Sequence, residues 1–188
     1  MVSNETINVI KRNGRGKESL DIDKIHSMVG FATEGITGVS ASHVEMNSGL
    51  QFFDGISTDD IQQILIKSAN DLISLESPNY QYVAARLLLF SLRKSLHHRL
   101  WEHPNFITHI KKLVDLGLYD KGILDNYTEA EIDRMGMWID HERDYSFTYA
   151  GLRQVMDKYL VQDRSTGEIF ETPQFMYMMI SATLFAKY

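Results

Sequence analysis

The sequence predicts a mostly helical α+β protein, and three features of its 188 residues support that class. An Asn-Gly pair at residues 13–14 lies between short alternating segments, which is typical of a β-hairpin because both residues tolerate positive φ. Four segments between residues 21 and 94 repeat apolar residues at helical spacing. Beyond residue 105, further amphipathic segments and helix-start signals follow, so helices outnumber strands.

The composition is ordinary for a soluble globular protein and excludes several functions. Apolar residues make up 44% and charged residues 23%, with 19 basic and 25 acidic side chains. The net charge of −6 argues against a general nucleic-acid binder, whose phosphate contacts need a basic face. The chain has no cysteine, which excludes disulfides, zinc–thiolate sites and thiol chemistry within it.

The sequence also predicts a cytosolic protein that does not act in a membrane. No apolar run approaches the ~18 residues of a membrane span. The first residues, MVSNETIN, lack the basic and apolar regions of a signal peptide.

The first part of the chain, residues 1–96, predicts a hairpin at 7–20 that rests on four helices. A two-stranded hairpin is marginal alone, so the helices must cover it. Each helix has a start signal in the form of a capping residue or capping box. In order, the predicted starts are Asp21 or Asp23, Ser42 with Glu45, Ser57 or Thr58, and Ser77 followed by Pro78, and the fourth helix ends in Arg93-Lys94.

The second part, residues 97–188, predicts a separate helix-rich region. Helices are expected at 106–116, 128–139 and 147–159, and two strands at 158–163 and 168–172 around a turn. Pro173 opens a final helix that is apolar on nearly every side. We expect the partner of this helix to lie outside the 188 residues; its burial within this chain is the alternative.

Basic residues concentrate on the hairpin and the first helix of an otherwise acidic chain. Such side chains at a turn and a helix start can hold a polyphosphate, since cations and helix-start amides both attract oxyanions. Spacing alone favours the alternative, a solvated charged hairpin. A P-loop is excluded, because the motif needs Gly at position 11 and Ser or Thr at position 18. The basic residues are Lys11, Arg12, Arg15, Lys17 and Lys24.

Two other polar clusters are weaker candidates. The histidines at 97, 98, 103 and 109 are more typical of exposed or capping residues in a linker than of a metal site, since no carboxylate or cysteine pattern completes one. The segment Asp140 to Asp144 is more typical of a salt-bridged helix end than of a catalytic site. The sequence therefore predicts no catalytic residue and no metal site.

Several stretches carry a family resemblance. VIKRNG at 9–14, LDIDKIH at 20–26, FFDGISTDDIQQILIKSA at 52–69 and PNYQYVAARLLLFSLRK at 78–94 resemble the ATP-cone of ribonucleotide reductases. The stretch HERDYSFTYAGLRQVMDKYLVQDRSTGEIFETPQF at 141–175 resembles the segment that leads into the ten-stranded α/β barrel of the class I large subunit. The similarity is collinear over nearly the whole chain and is strongest to the enterobacterial and large-phage type.

The resemblance implies an ATP-cone at residues 1–96 and, at 97–188, the incomplete helical start of the barrel domain. The family makes deoxyribonucleotides from ribonucleoside diphosphates by radical chemistry that needs cysteines. This chain has none, so we expect it to be inactive alone, as a fragment or one product of a split gene. The implied partners are the remainder of the large subunit, the radical-generating small subunit and further copies of the large subunit, in the cytoplasm of a bacterium or of a phage's host.

The resemblance also implies an effector site for ATP or dATP, with Mg²⁺. Its residues transfer position by position, and the matches at Glu18 and Asp21 are looser because this hairpin is one residue longer than in some members. Val9 and Thr58 would lie near the base with Phe52 close by, Lys11, Arg12 and Lys94 would contact phosphates, and Glu18, Asp21 and Lys24 would line the same pocket.

Two departures from the family pattern leave the regulation open. Gln62 and Ser91 stand where dATP-inhibited members have histidines, which puts inhibition by dATP in doubt. The number of nucleotides per cone, one or two, is also open. The alternative function is a degenerate cone that serves only as an assembly module for subunits. A cone-bearing transcriptional repressor is disfavoured, because such proteins carry a zinc ribbon and this chain has no cysteine ligands.

Overall fold

The computed structural model describes residues 7–11, 16–49, 51–98 and 100–186. The chain divides into two compact units. The first comprises Met1–Leu88 with Phe147–Ala150, and the second comprises Leu89–Ser146 with Gly151–Tyr188. The hairpin turn at 12–15 lies outside the described residues.

A three-stranded sheet forms one side of the first unit. The strands are β1 (Asn8–Ile10), β2 (Lys17–Ser19) and β3 (Ile56–Ser57), in the order β2-β1-β3. Strand β1 is antiparallel to β2, with Val9 opposite Glu18, and parallel to β3, with Val9 opposite Ile56. The predicted hairpin is confirmed, and the third strand is an addition that supplies the partner a two-stranded hairpin needs.

Four helices accompany the sheet, as predicted. They are α1 (Ile22–Thr33), α2 (Ala41–Gly49), α3 (Thr58–Asp71) and α4 (Tyr80–His97), of which α4 contributes to the first unit as far as Leu88. Their apolar stripes supply the interior of the unit, where burial of apolar surface is the main stabilising term. Fully buried side chains in this unit are Val29, Ala32, Val44, Ile56, Leu65, Ala69, Val83, Ala84 and Leu87.

The local start signals were correct for two of these helices. The Asp21 side chain caps α1 by accepting a hydrogen bond from the Lys24 amide, and the Ser57 side chain caps α3 by accepting one from the Asp60 amide. These caps satisfy amides that have no partner within the helix.

The predicted starts of α2 and α4 were wrong. Helix α2 begins one residue before Ser42, and Glu45 does not close a capping box; its Oε1 lies 2.9 Å from Nδ1 of His26 on α1. Helix α4 begins at Tyr80, after a turn that contains Pro78, and it extends beyond Lys94 to His97. Pairing between helices displaced the local capping preference in the first case.

The second unit contains the end of α4 and most of the remaining helices. These are α5 (Phe106–Asp115), α6 (Gly122–Asn126), α7 (Glu129–Met137), a 3₁₀ helix (His141–Ser146), α8 (Tyr149–Lys158) and α9 (Pro173–Leu184); α8 belongs to this unit from Gly151 onward. The predicted capping box of Thr128 and Glu131 is present at the start of α7. One apolar cluster holds the unit together: Phe106, Ile107, Ile110, Leu113, Tyr119, Ile123, Ile132, Phe175 and Ala182.

Two expectations for this unit need correction. Residues 158–163 and 168–172 do not form strands; a single bridge joins Gln162 to Ile169 around a turn, and Lys158 ends α8. Helix α9 is neither buried on every side nor wholly uncovered. It buries Phe175 and Met176, while Ile180 and Leu184 are 47% and 67% exposed. No helix among the described residues is long and apolar enough to cross a bilayer.

The polar clusters of the second unit are also more buried than the sequence suggested. His109 is only 4% exposed, and His97 and His103 are half-buried, so the prediction of exposed linker histidines holds for His98 alone. Asp144 is 1% exposed and lies 3.5 Å from the buried guanidinium of Arg93, and Asp140 lies 3.8 Å from Arg143, so the predicted salt bridges are present and that of Asp144 is buried.

A buried amide joins α3 to α4 within the first unit. The side chain of Gln62 is 3% exposed, and its Nε2 donates a 2.9 Å hydrogen bond to the carbonyl oxygen of Leu87. A buried polar group must be hydrogen-bonded to be tolerated, so this contact fixes the spacing of the two helices.

We predict that Gln62→Ala lowers the free energy of unfolding by about 1–3 kcal/mol, because it removes a buried hydrogen bond and leaves a cavity. Urea denaturation of the 188-residue chain, followed by circular dichroism, measures this change. The adjacent Gln63 is exposed, and Gln63→Ala should shift stability by less than about 0.5 kcal/mol. Equal losses in the two variants would contradict the assignment.

Candidate functional site

One face of the sheet carries three of the predicted site residues. Val9 and Lys11 are two residues apart on the same strand segment, and Glu18 lies opposite Val9 on β2. Side chains two apart, and side chains directly opposite each other, project from the same face of a sheet. The Val9 side chain is buried at 3% exposure, so it belongs to the core, and a bound base would meet its backbone and its neighbours.

Two lysines of the predicted site, Lys11 and Lys24, have carboxylate partners. The Nζ of Lys11 lies 2.7 Å from Oε2 of Glu18, and the Nζ of Lys24 lies 3.3 Å from Oδ2 of Asp21. The hydrogen bond from Lys11 lowers the pKa of Glu18, and the backbone amide of Lys24 is the main cause that lowers the pKa of Asp21. Both carboxylates are therefore ionised at neutral pH, and both pairs are open to solvent.

The third strand brings a distant segment to the same place. The backbone amide and Nδ2 of Asn8 donate to Oδ1 of Asp54 at 2.8 and 3.0 Å, and the amide of Gly55 donates to the Asn8 carbonyl at 2.8 Å. Gly55 has a φ of +83°, which favours glycine at this turn. These bonds fix the chain from Asp54 onward against β1.

The start of α3 therefore lies beside the end of β1. Ser57 is opposite Ile10 in the parallel pair, so Thr58, the first residue of α3, follows at the level of Lys11. Of the two predicted start residues, Ser57 is the cap and Thr58 is the first residue of the helix. A helix start has a partial positive charge and suits an anion.

An open cavity of about 450 Å³ lies at the start of α1, bordered by residues 19–23. Its wall includes the carboxylates of Asp21 and Asp23 and the side chain of Ile22, which is 70% exposed. The cavity thus combines an apolar surface, a helix start and two acidic groups in the segment that also carries Lys24.

Most predicted site residues lie in the first unit. These are Val9, Lys11, Glu18, Asp21, Lys24, Phe52 and Thr58. Arg12 lies outside the described residues. Lys94 is in the last turn of α4, in the second unit, so its place beside the others remains a prediction.

The two positions that differ from the family pattern lie in different surroundings. The Nε2 of Gln62 is engaged with Leu87 inside the first unit, so this amide serves the fold. Ser91 is half-buried on α4 in the second unit.

Asn8 and Asp54 position the site, and the sequence analysis did not identify them. The pairing of β1 with β3 joins residues far apart in the chain, and β3 is two residues long, so no local periodicity reveals it.

Comparisons with known proteins agree with this architecture. The ATP cone domain family matches residues 7–95, and the family described as the ribonucleotide reductase all-alpha domain matches residues 145–187. The ribonucleoside-diphosphate reductase subunit alpha of Haemophilus influenzae is 49% identical over 185 residues, which is 98% of this chain and 24% of the relative. The chain belongs to the family of ribonucleoside-diphosphate reductase alpha subunits.

Two further relatives of the reductase family show the same coverage. Ribonucleoside-diphosphate reductase 1 subunit alpha of Escherichia coli is 47% identical over 98% of this chain, and the subunit alpha of Enterobacteria phage T4 is 46% identical over 96%. The chain spans about a quarter of each reductase subunit, 24% in both cases. Every predicted effector residue from Val9 to Lys94 lies within the ATP cone match.

We predict that Asp54→Ala loosens the site by removing the acceptor of both Asn8 hydrogen bonds. The free energy of unfolding should fall by about 1 kcal/mol, the usual net value of such a bond. The Asn8 amide should also exchange faster with deuterium, measured by NMR. Asp54→Asn keeps an acceptor oxygen and should have a smaller effect; equal exchange rates in the wild type and Asp54→Ala would contradict this account.

Proposed function

We propose that the first unit is an allosteric sensor that binds ATP or dATP and regulates a ribonucleoside-diphosphate reductase. The observation that carries the proposal is that Lys11 and the start of α3 lie at the same end of the sheet, within the ATP cone match. Lys24 follows the opposite end of β2, and its positive charge acts on Glu18, the partner of Lys11. Cations beside helix starts are an arrangement that attracts a polyphosphate.

In the proposed complex, the phosphates contact Lys11, Arg12 and Lys94, and Lys24 lines the pocket together with Glu18 and Asp21. Lys11 and Lys24 are half or more exposed, so a ligand reaches them without unfolding the unit. The base lies between Phe52 and the hydroxyl of Thr58, near the backbone of Val9. The fixing of residues 54–57 to β1 supports the place of Thr58, because its hydroxyl group then follows at the level of Lys11.

A magnesium ion fits this site as a companion of the nucleotide. The carboxylate of Asp21, with Asp23 beside it, supplies the oxygen donors that Mg²⁺ prefers, and the lowered pKa of Asp21 keeps its carboxylate charged. Among the described residues, no three histidine, aspartate or glutamate side chains are grouped as a metal site. The ion would therefore arrive with the phosphates, which provide the rest of its ligands.

The wider function follows from the reductase family. Residues 1–96 form the regulatory domain, and residues 97–188 form the start of the catalytic barrel domain. The chain acts with the remainder of the large subunit, the radical-generating small subunit and other large subunits, and the whole enzyme makes deoxyribonucleotides from ribonucleoside diphosphates. The names of the relatives and the all-alpha domain match support this assignment.

The second candidate function is a cone that acts only in subunit assembly. It is favoured by the pairing of Lys11 with Glu18 and of Lys24 with Asp21, which neutralises both lysines. In that case nucleotide does not bind, and deletion of residues 1–96 still alters association with the small subunit.

We predict micromolar binding of ATP to the 188-residue chain, and a loss of at least tenfold in affinity in the double variant Lys11→Ala, Lys94→Ala, since two phosphate contacts are removed. Isothermal titration calorimetry with ATP and with dATP measures both values. The control is Lys67→Ala on α3, whose lysine pairs with Asp71 outside the proposed site. Absence of binding by the wild type, with no thermal stabilisation, would favour the assembly function.

A further prediction concerns Glu18, which competes with phosphate for Lys11. Glu18→Gln should strengthen the binding of inorganic triphosphate, measured without Mg²⁺, by roughly two- to fivefold, the value expected for an exposed ion pair. The matched control is Glu76→Gln, an exposed carboxylate far along the chain from the site. Weaker binding by Glu18→Gln would show that this carboxylate assists the ligand and would contradict the competition.

A further inference from the structure

Four of the seven histidines in the chain form one cluster in the second unit. His97 lies in the last turn of α4, His103 precedes α5, His109 is on α5, and His141 begins the 3₁₀ helix. The rings of His103 and His141 are stacked, with centroids 3.6 Å apart and planes 13° from parallel. The ring of His97 meets that of His103 edge-on at 5.4 Å.

The cluster also contacts the final helix. The ring of Phe175 on α9 lies 4.5 Å from that of His109 and 4.9 Å from that of His141, measured between centroids. Phe175 is a fully buried member of the apolar cluster of this unit. A movement of the histidines would therefore disturb the packing of α9.

One ring nitrogen of each of the four imidazoles is buried. The buried nitrogens are Nε2 of His97 and His109 and Nδ1 of His103 and His141, and none has a hydrogen-bond partner among the described residues. A neutral imidazole tolerates this, because one of its nitrogens carries no proton. An imidazolium carries N–H on both nitrogens, so protonation in this packing would bury an unsatisfied charged donor.

The charged groups around the cluster do not compensate the positive charge that a protonated imidazole would bring. Arg93 on α4 and Lys112 on α5 are positive, and Asp140 is the carboxylate that acts on His141 in the favourable direction. The neighbouring Asp144 is engaged with Arg93 and with Nε2 of Gln174. Tyr119 meets His109 edge-on, and its hydroxyl donates to Glu171.

An open cavity of about 510 Å³ adjoins the rings. It is lined by His97, His103 and His109, and its wall also includes Glu102, Glu168 and Lys112. An imidazolium that leaves the packed cluster can enter this space, where water and carboxylates would stabilise it. The cavity thus provides the second position that a two-state element needs.

We propose that His97, His103, His109 and His141 form a single proton-operated switch, which is closed when the imidazoles are neutral and opens the packing of α5 and α9 when they are protonated. The stacking of His103 on His141 makes the switch cooperative. Two charges at this separation repel each other, so a proton on one ring favours separation, and the separated rings accept further protons.

The direction of the pH effect follows from burial. Burial is the largest cause that lowers the pKa of His97, and it lowers the pKa of His103 and His109 to about 3 and that of His141 to about 4. An unfolded histidine has a pKa near 6.5. The closed state therefore keeps its full stability above about pH 6.5 and loses it as the pH falls below that value.

Two neighbouring groups act in the opposite direction. Burial raises the pKa of Asp144 to about 6 and also raises the pKa of Glu171, so the folded state takes up protons there more readily than the unfolded chain. This contribution stabilises the fold as the pH falls through the raised pKa values. It involves two carboxyl groups against four histidines, so the net effect of acid is to open the switch.

The test is a pH titration of the 188-residue chain between pH 7.5 and 4.5, with the histidine side chains observed by nitrogen-15 NMR. We expect the four clustered rings to remain neutral well below pH 6.5 and then to change together, with new signals for α9. His98 is exposed and is not part of the cluster, so its signals serve as the internal reference. Independent titration of the clustered rings near pH 6.5 would overturn the proposal, and this measurement needs no variant.

A second measurement counts the protons. The slope of the logarithm of the unfolding constant against pH gives the number of protons taken up on unfolding, and we expect more than one between pH 6.5 and 5. The double variant His103→Phe, His141→Phe replaces the two stacked imidazoles with aromatic rings that cannot take up a proton. It should lower the number of protons taken up on unfolding by about one or two. His98→Asn, the control, suits the positive φ of 59° at that position and should leave the slope unchanged. An unchanged slope in the double variant would overturn the proposal.

Discussion

Strand β1 lies between β2 and β3, and its parallel pairing with β3 connects the N-terminal hairpin to a segment that follows two helices. Asp54 supports this pairing by accepting both hydrogen bonds of Asn8. The pairing buries Val9 against Ile56 and sets the start of α3 at the level of Lys11. Without it the hairpin would be a marginal two-stranded ribbon, and the basic and polar groups of the proposed site would not share one surface.

Helix α4 has a comparable role in the second unit. Arg93 is 2% exposed and donates to the Tyr145 hydroxyl at 2.9 Å and to the His141 carbonyl at 2.6 Å, while Asp144 accepts from both Arg93 and Gln174 of α9. A buried charge persists only when it is paired and hydrogen-bonded in this manner. Lys94, a proposed phosphate contact, directly follows Arg93. The buried hydrogen bonds of Arg93 therefore fix the helical turn that carries Lys94.

Local chemistry explains which parts of this structure the sequence could predict. Asp21, Ser57 and Thr128 each cap a helix with their own side chain, so a few neighbouring residues determine the result. The pairing of β3 and the burial of His109 depend on residues far apart in the chain, and no short-range periodicity encodes them. The basic residues of the site were found because they are clustered in one short stretch of the sequence. Asp54 accepts a hydrogen bond from the backbone amide of Asn8, and no sequence pattern marks that role.

The central claim, that nucleotide binds beside Lys11, where the end of β1 meets the start of α3, is tested most directly by backbone amide NMR of the 188-residue chain with and without ATP. The account predicts that the largest shift changes fall in residues 9–24 and 52–58, on both sides of the β1–β3 pairing, with a further change around Lys94. Changes confined to other parts of the chain, or none at millimolar ATP, would contradict it.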